Sequence, residues 1–348
     1  QTEEDVMGDW NNIPRRVTVP SFYIDRTEVA NVHYREYIFW LSRVFDPEAD
    51  ENNKLIIESA LPDTLVWRSE LSYNEPLVEY YFRHPGFNNY PVVGVSWRQA
   101  HDFCLWRSDR VNEGILMNKG YANKQGIQGQ QQENNFTTKS YLLGLYQAAP
   151  GKVGKKDKLI SPMGTPRTTV NMEDGILLPD YRLPFEAEWE YAALALRGNH
   201  VDPEEQEMIT DRRIYPWNGT SMRNAEHGGW QGDFLANFKR GRGDYGGLAG
   251  NLNDNAVITA PIYSFMPNDY GLYNMAGNVS EWVQDVYRPM SYQDFDDLNP
   301  MRRDGFLDRH LAERSYRRLA RWLDRDARSL RPHCLLLPVG GPLAGGVD

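Results

Sequence analysis

Apolar residues in the first half of the chain repeat one order twice, a strand followed by a helix. Val17 to Asp25, VTVPSFYID, reads as a strand bent at its proline, and from Glu28 to Phe45 the positions Val32, Tyr34, Tyr37, Ile38 and Leu41 recur at helical spacing. The second unit opens with Tyr90 to Val95, YPVVGV, a short apolar run expected to be a strand. Ser96 and Gln99 then stand three residues apart, the spacing of a capping box, and the helix they open is expected to bury Ala100, Phe103 and Cys104. A third helix is predicted after Pro184 in RLPFEAEWEYAA, Arg182 to Ala193, with Trp189, Ala192 and Ala193 on one face.

Elsewhere this periodicity fades. Residues 107–180 are polar, with GIQGQQQENN at Gly126 to Asn135 and GKVGKKDK at Gly151 to Lys158, and read as an elaborated surface insertion. From Pro216 to Tyr273 regular elements vanish, yet Trp217, Trp230, Phe234, Phe238, Tyr245 and Tyr263 recur among glycines. That mixture predicts a core on irregular backbone, whose polar groups need partners of their own; bound cations would be one kind. The stretch GLYNMAGNVSEW, Gly271 to Trp282, concentrates the same features: Gly and Asn permit left-handed turns, and large aromatic neighbours offer burial.

Composition then narrows the class. A chain of 348 residues that is 41% hydrophobic and 12% aromatic is folded rather than globally disordered. Its charge of −10 is uneven: residues 1–300 carry −14, while residues 301–348 carry +4. An acidic main body speaks against general nucleic-acid binding and is compatible with cations. The two cysteines, Cys104 and Cys334, are too few for a disulfide framework or a four-cysteine zinc site. No apolar run approaches the ~20 residues that span a bilayer. Because the chain starts at Gln1, a processed or cropped start is expected, with any signal peptide or anchor cysteine lying outside it.

Common catalytic spacings are missing: the seven histidines form no HxxxH or HExxH pattern, and no serine sits in a GxSxG elbow. GRGDYGG at Gly241 to Gly247 lacks the Lys-Ser/Thr of a phosphate loop and reads as a turn. Asp296 with Asp297 reads as a solvated loop, and Glu188, beside Glu190, as an anchor for neighbouring backbone rather than an acid or base.

Five blocks together, FYIDRTEVAN (Phe22 to Asn31), YPVVGVSWRQAHDFCLW (Tyr90 to Trp106), YRLPFEAEWEYAA (Tyr181 to Ala193), YPWNG (Tyr215 to Gly219) and GLYNMAGNVSEWVQD (Gly271 to Asp285), resemble the formylglycine-generating-enzyme, or sulfatase-modifying-factor, family. The resemblance implies an α+β, C-type-lectin-like fold with little regular secondary structure, here spanning residues 1–300 with insertions at about 46–89 and 108–180. Within the family the narrower likeness is to gliding-motility lipoproteins of the Bacteroidetes-type cell envelope. It is carried by DVMGDWNN (Asp5 to Asn12), SALPDTLVWRSELSYNEP (Ser59 to Pro76), ANFKRGRGDY (Ala236 to Tyr245) and VYRPMSYQDFDDLNP (Val286 to Pro300).

The family's calcium loop matches Asn274, Gly277, Val279 and Glu281, two side-chain oxygens and two main-chain carbonyls; a hard cation that takes six to eight oxygen ligands suits such a set. On the residues alone the plainer reading is a turn in which Asn274 caps backbone and Glu281 pairs with an arginine. A second family calcium site aligns with Asn237, Phe238, Asp254 and Ala256, against the plainer reading of an Asx-turn pair. Family enzymes use two nearby thiolates for copper and oxygen chemistry. This chain lacks that pair, and Cys104 falls on an apolar helix face, so the expectation is a pseudoenzyme with no catalytic residues.

After Asp285 the family's RGGSW-like and GFR-like strands are missing. Instead Arg302 to Arg331 holds ten arginines and no lysine, with Tyr316, Leu319, Leu323, Ala327 and Leu330 on one helical stripe. Residues 301–348 are therefore either an appended amphipathic helix or, from about Phe306, a reading-frame product foreign to the fold. The expected role is a calcium-stabilised, lipid-anchored scaffold of the outer membrane facing the periplasm. Its expected partners are envelope proteins of the gliding and type IX secretion machinery, a GldK-like lipoprotein and membrane motor components, with no nucleic acid. The rival expectations are an oxidase acting on sulfatase cysteine and a lectin-like carbohydrate binder.

Overall fold

A computed structural model describes residues 17–68, 73–122, 135–146, 159–160, 164–167, 169–195, 215–238, 254, 256 and 258–286. Expectations for Gly241 to Gly247, Asp296 and Asp297, the arginine-rich stripe and Cys334 lie outside the described residues, as does most of the polar runs at Gly126 and Gly151.

Helix α1, Asn31–Val44, buries Tyr34, Tyr37, Leu41 and Val44 at helical spacing, and Val32 falls on the opposite side, 38% exposed. Aromatic rings build the main core around it: Tyr34 stacks on Phe103 with centroids 5.6 Å apart, and Tyr37 meets Phe103 edge-on. Helix α2, Glu51–Ala60, starts with the Asp50 carboxylate accepting from the Asn52 N–H. Its last carbonyl, that of Ala60, accepts from the buried Tyr34 hydroxyl at 2.8 Å. The short helix α3, Glu75–Tyr80, precedes Tyr81, whose ring lies 4.3 Å from that of Trp67.

Helix α4, Trp97–Lys119, begins with the predicted reciprocal box: Ser96 Oγ accepts from the Gln99 N–H, and Gln99 Oε1 accepts from the Ser96 N–H. The free amide of Gln99 donates to the carbonyls of Ser59 and Leu61, so one side chain fixes the start of α4 and the end of α2. As predicted, Phe103 and Cys104 face the core.

The second insertion is more than a polar surface. Leu116, Tyr121, Phe136, Tyr141, Val170 and Leu177 form a buried cluster of their own, with α5, Thr138–Leu142, packed on α4. Asn112 ties it down by accepting from the Leu178 N–H at 2.9 Å and donating to the Leu178 carbonyl at 3.2 Å. These apolar residues are spread thinly among polar ones, so no helical or strand period announces them.

Neither expected strand forms. Residues Val17–Asp25 form no strand beyond a lone bridge at Tyr23, and of Tyr90–Val95 only Pro91 makes a bridge, to Ala30. Gly94 turns the chain at φ +81°, where a Cβ would lie 2.1 Å from the Asp63 carbonyl oxygen. The sheet among the described residues is one short antiparallel pair, β1 Leu159–Ile160 with β2 Pro166–Arg167. Mixed helices on long irregular connections are thus the architecture, and no described helix is long and apolar enough to cross a membrane.

Helix α6, Glu186–Leu194, buries Ala192 and Ala193 as predicted, while Trp189 is only partly covered. Glu188 accepts from the Phe185 N–H at 2.8 Å and from Arg182, the backbone anchoring expected of it. The aromatic loop region meets expectation only in part: Trp217, Phe234 and Phe238 are half-buried. Trp230 and Tyr263 are 66% and 54% exposed, so they line a surface instead of filling a core.

Candidate metal centre and aromatic groove

Three residues of the loop after Tyr273 have left-handed backbone: Asn274 at φ +52°, Gly277 at +78° and Asn278 at +62°. The curl presses this loop on the Asn237 segment. Asn278 N–H donates to the Asn237 carbonyl at 2.8 Å, and a Cβ on Gly277 would sit 2.0 Å from that same oxygen. Glycine is thus required by a neighbouring strand of chain as well as by φ.

Four expected oxygen-bearing residues, Asn274, Gly277, Val279 and Glu281, follow one another around this curl. Asn274 is buried; its Nδ2 donates to Glu28 Oε2 at 2.9 Å, whereas its Oδ1 is buried without a hydrogen-bond partner. Such an orphaned acceptor is costly unless something outside the protein's own donors meets it. Among the described residues Glu281 pairs with no arginine; its Oε2 accepts from Trp189 Nε1 at 2.6 Å. Burial pushes the Glu281 carboxyl up to about 7, with the Glu28 charge adding to the push and the Trp189 N–H opposing it. Protein surrounds this carboxylate, yet the residue stays open to solvent through a cavity of about 480 Å³, and water there softens the push. Glu28 is likewise raised by burial, against two amide donors.

The second set is also brought together. Asn237 is buried, and both protons of its Nδ2 are spent, on Asn278 Oδ1 and the Ile258 carbonyl, each at 3.0 Å. The carboxylate of Asp254 accepts from the N–H groups of Phe238, at 3.3 Å, and Ala256, at 3.2 Å. The Ala256 contact is the Asx turn of the plainer reading.

Among the described residues no group of three or more His, Cys, Asp or Glu side chains converges. A metal here would have to be held mainly by amide and main-chain oxygens, which suits a hard cation of the calcium type and not zinc or copper. The unpartnered Asn274 oxygen and the nearby Glu28 and Glu281 carboxylates fit that requirement. Sequence reasoning missed Glu28, although it lies in a block singled out for its family likeness; its partners are about 250 positions away.

A second feature is a groove of about 990 Å³ between the first insertion and the aromatic loops. Trp67, Tyr73 and Tyr81 line one side, and Trp230, Tyr263 and Phe265 line another. Among its described lining residues are Asp233 and Asp254 but no lysine or arginine. Tyr73 is 84% exposed at its edge. Cys104, by contrast, is buried on α4.

The family model for the sulfatase-modifying factor enzyme 1-like domain matches residues 2–325. The chain belongs to that family. Mouse formylglycine-generating enzyme is 25% identical over 292 residues, covering 78% of this chain and 50% of the mouse protein. The formylglycine-generating enzyme of Thermomonospora curvata is 34% identical over 147 residues, 41% of this chain and 40% of that protein. Bovine inactive C-alpha-formylglycine-generating enzyme 2 is 31% identical over 295 residues, 79% of this chain and 63% of the relative. The chain spans about half the length of the mouse relative it matches. Family membership thus covers proteins named as enzymes and proteins named as inactive, and the family name alone does not decide between them.

Proposed function

We propose that this chain is a non-catalytic, calcium-stabilised scaffold of the cell envelope, of the GldJ kind, serving gliding motility and type IX secretion as an outer-membrane lipoprotein facing the periplasm. The finer fold reading, C-type-lectin-like, belongs to the same proposal. The observation that carries the contact role is the groove. Exposed aromatic rings beside carboxylates, with no basic residue among the described lining, suit a cationic and apolar segment of a partner such as a GldK-like lipoprotein or a motor component. The insertion at 46–89 supplies one wall of it. Against chemistry stand the burial of Cys104 in the core and the lack of a neighbouring cysteine in the sequence. Calcium is proposed at Asn274, Gly277, Val279 and Glu281, and at Asn237, Phe238, Asp254 and Ala256.

Mild purification of the intact envelope complex tests the role. Recovery with envelope partners, lost in a Tyr73→Ala/Trp230→Ala double variant that still folds, supports the scaffold; recovery of the wild-type chain as a free monomer overturns it. A second reading, an oxidase, is favoured by the relatives named formylglycine-generating enzyme. Copper-dependent oxygen consumption with a cysteine-containing sulfatase peptide would establish it in place of the scaffold.

A further inference from the structure

Glu28 belongs to neither expected set of metal ligands, yet both sets lean on it. Its Oε2 accepts from Asn274 Nδ2 at 2.9 Å and its Oε1 accepts from Asn278 Nδ2 at 2.7 Å. Asn278 hands the direction on, since its Oδ1 accepts from Asn237 Nδ2 at 3.0 Å and from the Ala260 N–H at 2.8 Å. An ionised carboxylate can only accept, so both amides that face it must present their NH2 groups. For Asn274 that leaves the oxygen on the other side of the amide, where it is buried and unpartnered. For Asn278 it acts in the same sense as the backbone of Ala260, whose N–H donates to Oδ1 and whose carbonyl accepts from Nδ2 at 3.3 Å, and the oxygen so fixed faces Asn237, which answers with Nδ2, held by the Ile258 carbonyl as well, and turns its own oxygen away. Reversing Asn278 would set an amide oxygen against the Glu28 carboxylate and an NH2 against the Asn237 NH2, two repulsive contacts at once.

We infer that Glu28 is a positioning residue that sets the amide direction of Asn274 and reinforces that of Asn237, so that one half-buried carboxylate holds a side-chain oxygen from each loop ready for a divalent, oxygen-seeking cation. This assignment rests on the calcium reading above and adds to it a shared outer layer for two separate loops. Outer-layer partners of metal ligands fix ligand orientation.

Calcium titration calorimetry on the full chain, stripped with EDTA and exchanged into EDTA-free buffer, tests it, with Asp254→Asn and Glu281→Gln identifying which binding step belongs to which loop. The expected result is two ions for the wild type and, in Glu28→Gln, a loss of about tenfold or more at the Asn274 loop, the range for outer-layer partners, with a smaller loss at the Asn237 loop, whose amides the Ala260 and Ile258 backbone also holds. Asn278→Gly, which removes the relay but suits the positive φ, should weaken the Asn237 loop and leave the Asn274 loop unchanged. The metal-free unfolding midpoint of Glu28→Gln should stay at or above that of the wild type. Loss at one loop only, or at neither, in a wild type that binds two ions overturns the shared role while the calcium reading stands. One ion in the wild type overturns the shared role too. No binding by the wild type removes the calcium reading and the positioning role with it.

Discussion

At the scale of single residues, the molecule separates glycines that need only a left-handed backbone from those that also need empty space. Gly175 has φ +63° and nothing within 4 Å of an added Cβ, whereas Gly277 has φ +78° and the Asn237 carbonyl oxygen 2.0 Å away. Gly175→Ala should therefore cost about 1 kcal/mol, the strain of the backbone alone. Gly277→Ala should cost several times more, since the backbone hydrogen bond from Asn278 to Asn237 must part to relieve the contact. Chemical denaturation of the two variants measures the difference, and equal midpoints would contradict the tight crossing of the two loops. The sequence announced Gly277 and Asn274 because both residue types tolerate such turns. It was silent about Glu28, since a carboxylate between two distant asparagines leaves no local spacing to read.

Elements were legible where a local rule wrote them and hidden where the contact was long-range. The capping box at Ser96 and Gln99 and the apolar face of α6 follow from spacing within a turn or two, and both are present. The expected strands are not: YPVVGV is apolar because Pro91 and Val92 pack beside α1, and Gly94 breaks the extended run to bond Asp63. Hydrophobicity there reported burial and was mistaken for pleat. Gln99 offers a test at this scale. Ser96→Ala removes one cap bond and should cost about 1 kcal/mol. Gln99→Ala also strips the carbonyls of Ser59 and Leu61 of their donor, so it should cost more and loosen α2 as well as α4. Amide hydrogen exchange would reveal this as faster exchange over Glu51–Ala60 in Gln99→Ala only.

For the whole molecule the division is between a ring-built core and a ring-lined surface. Twenty tyrosines and ten tryptophans predict aromatic burial, and Tyr34, Tyr37 and Phe103 fulfil it. Trp230, Tyr263 and Tyr73 instead stand at the groove, where composition could not place them, because the same residue types serve both settings. Tyr81 links the two: its hydroxyl donates to the buried Pro91 carbonyl at 2.7 Å and accepts from Thr259 Oγ1 at 3.1 Å, while its ring packs on Trp67 at the groove wall. The two kinds of aromatic should accordingly answer differently to truncation. Trp230→Ala and Tyr73→Ala should shift unfolding free energy by no more than about 0.5 kcal/mol, as for exposed positions, while abolishing partner recovery. Tyr81→Ala should cost about 3–5 kcal/mol, because it empties core volume and orphans the Pro91 carbonyl. Thermal unfolding of the purified variants beside envelope co-purification reads both quantities. A large destabilisation in Trp230→Ala would mean that the groove is filled by the chain itself and is no docking surface.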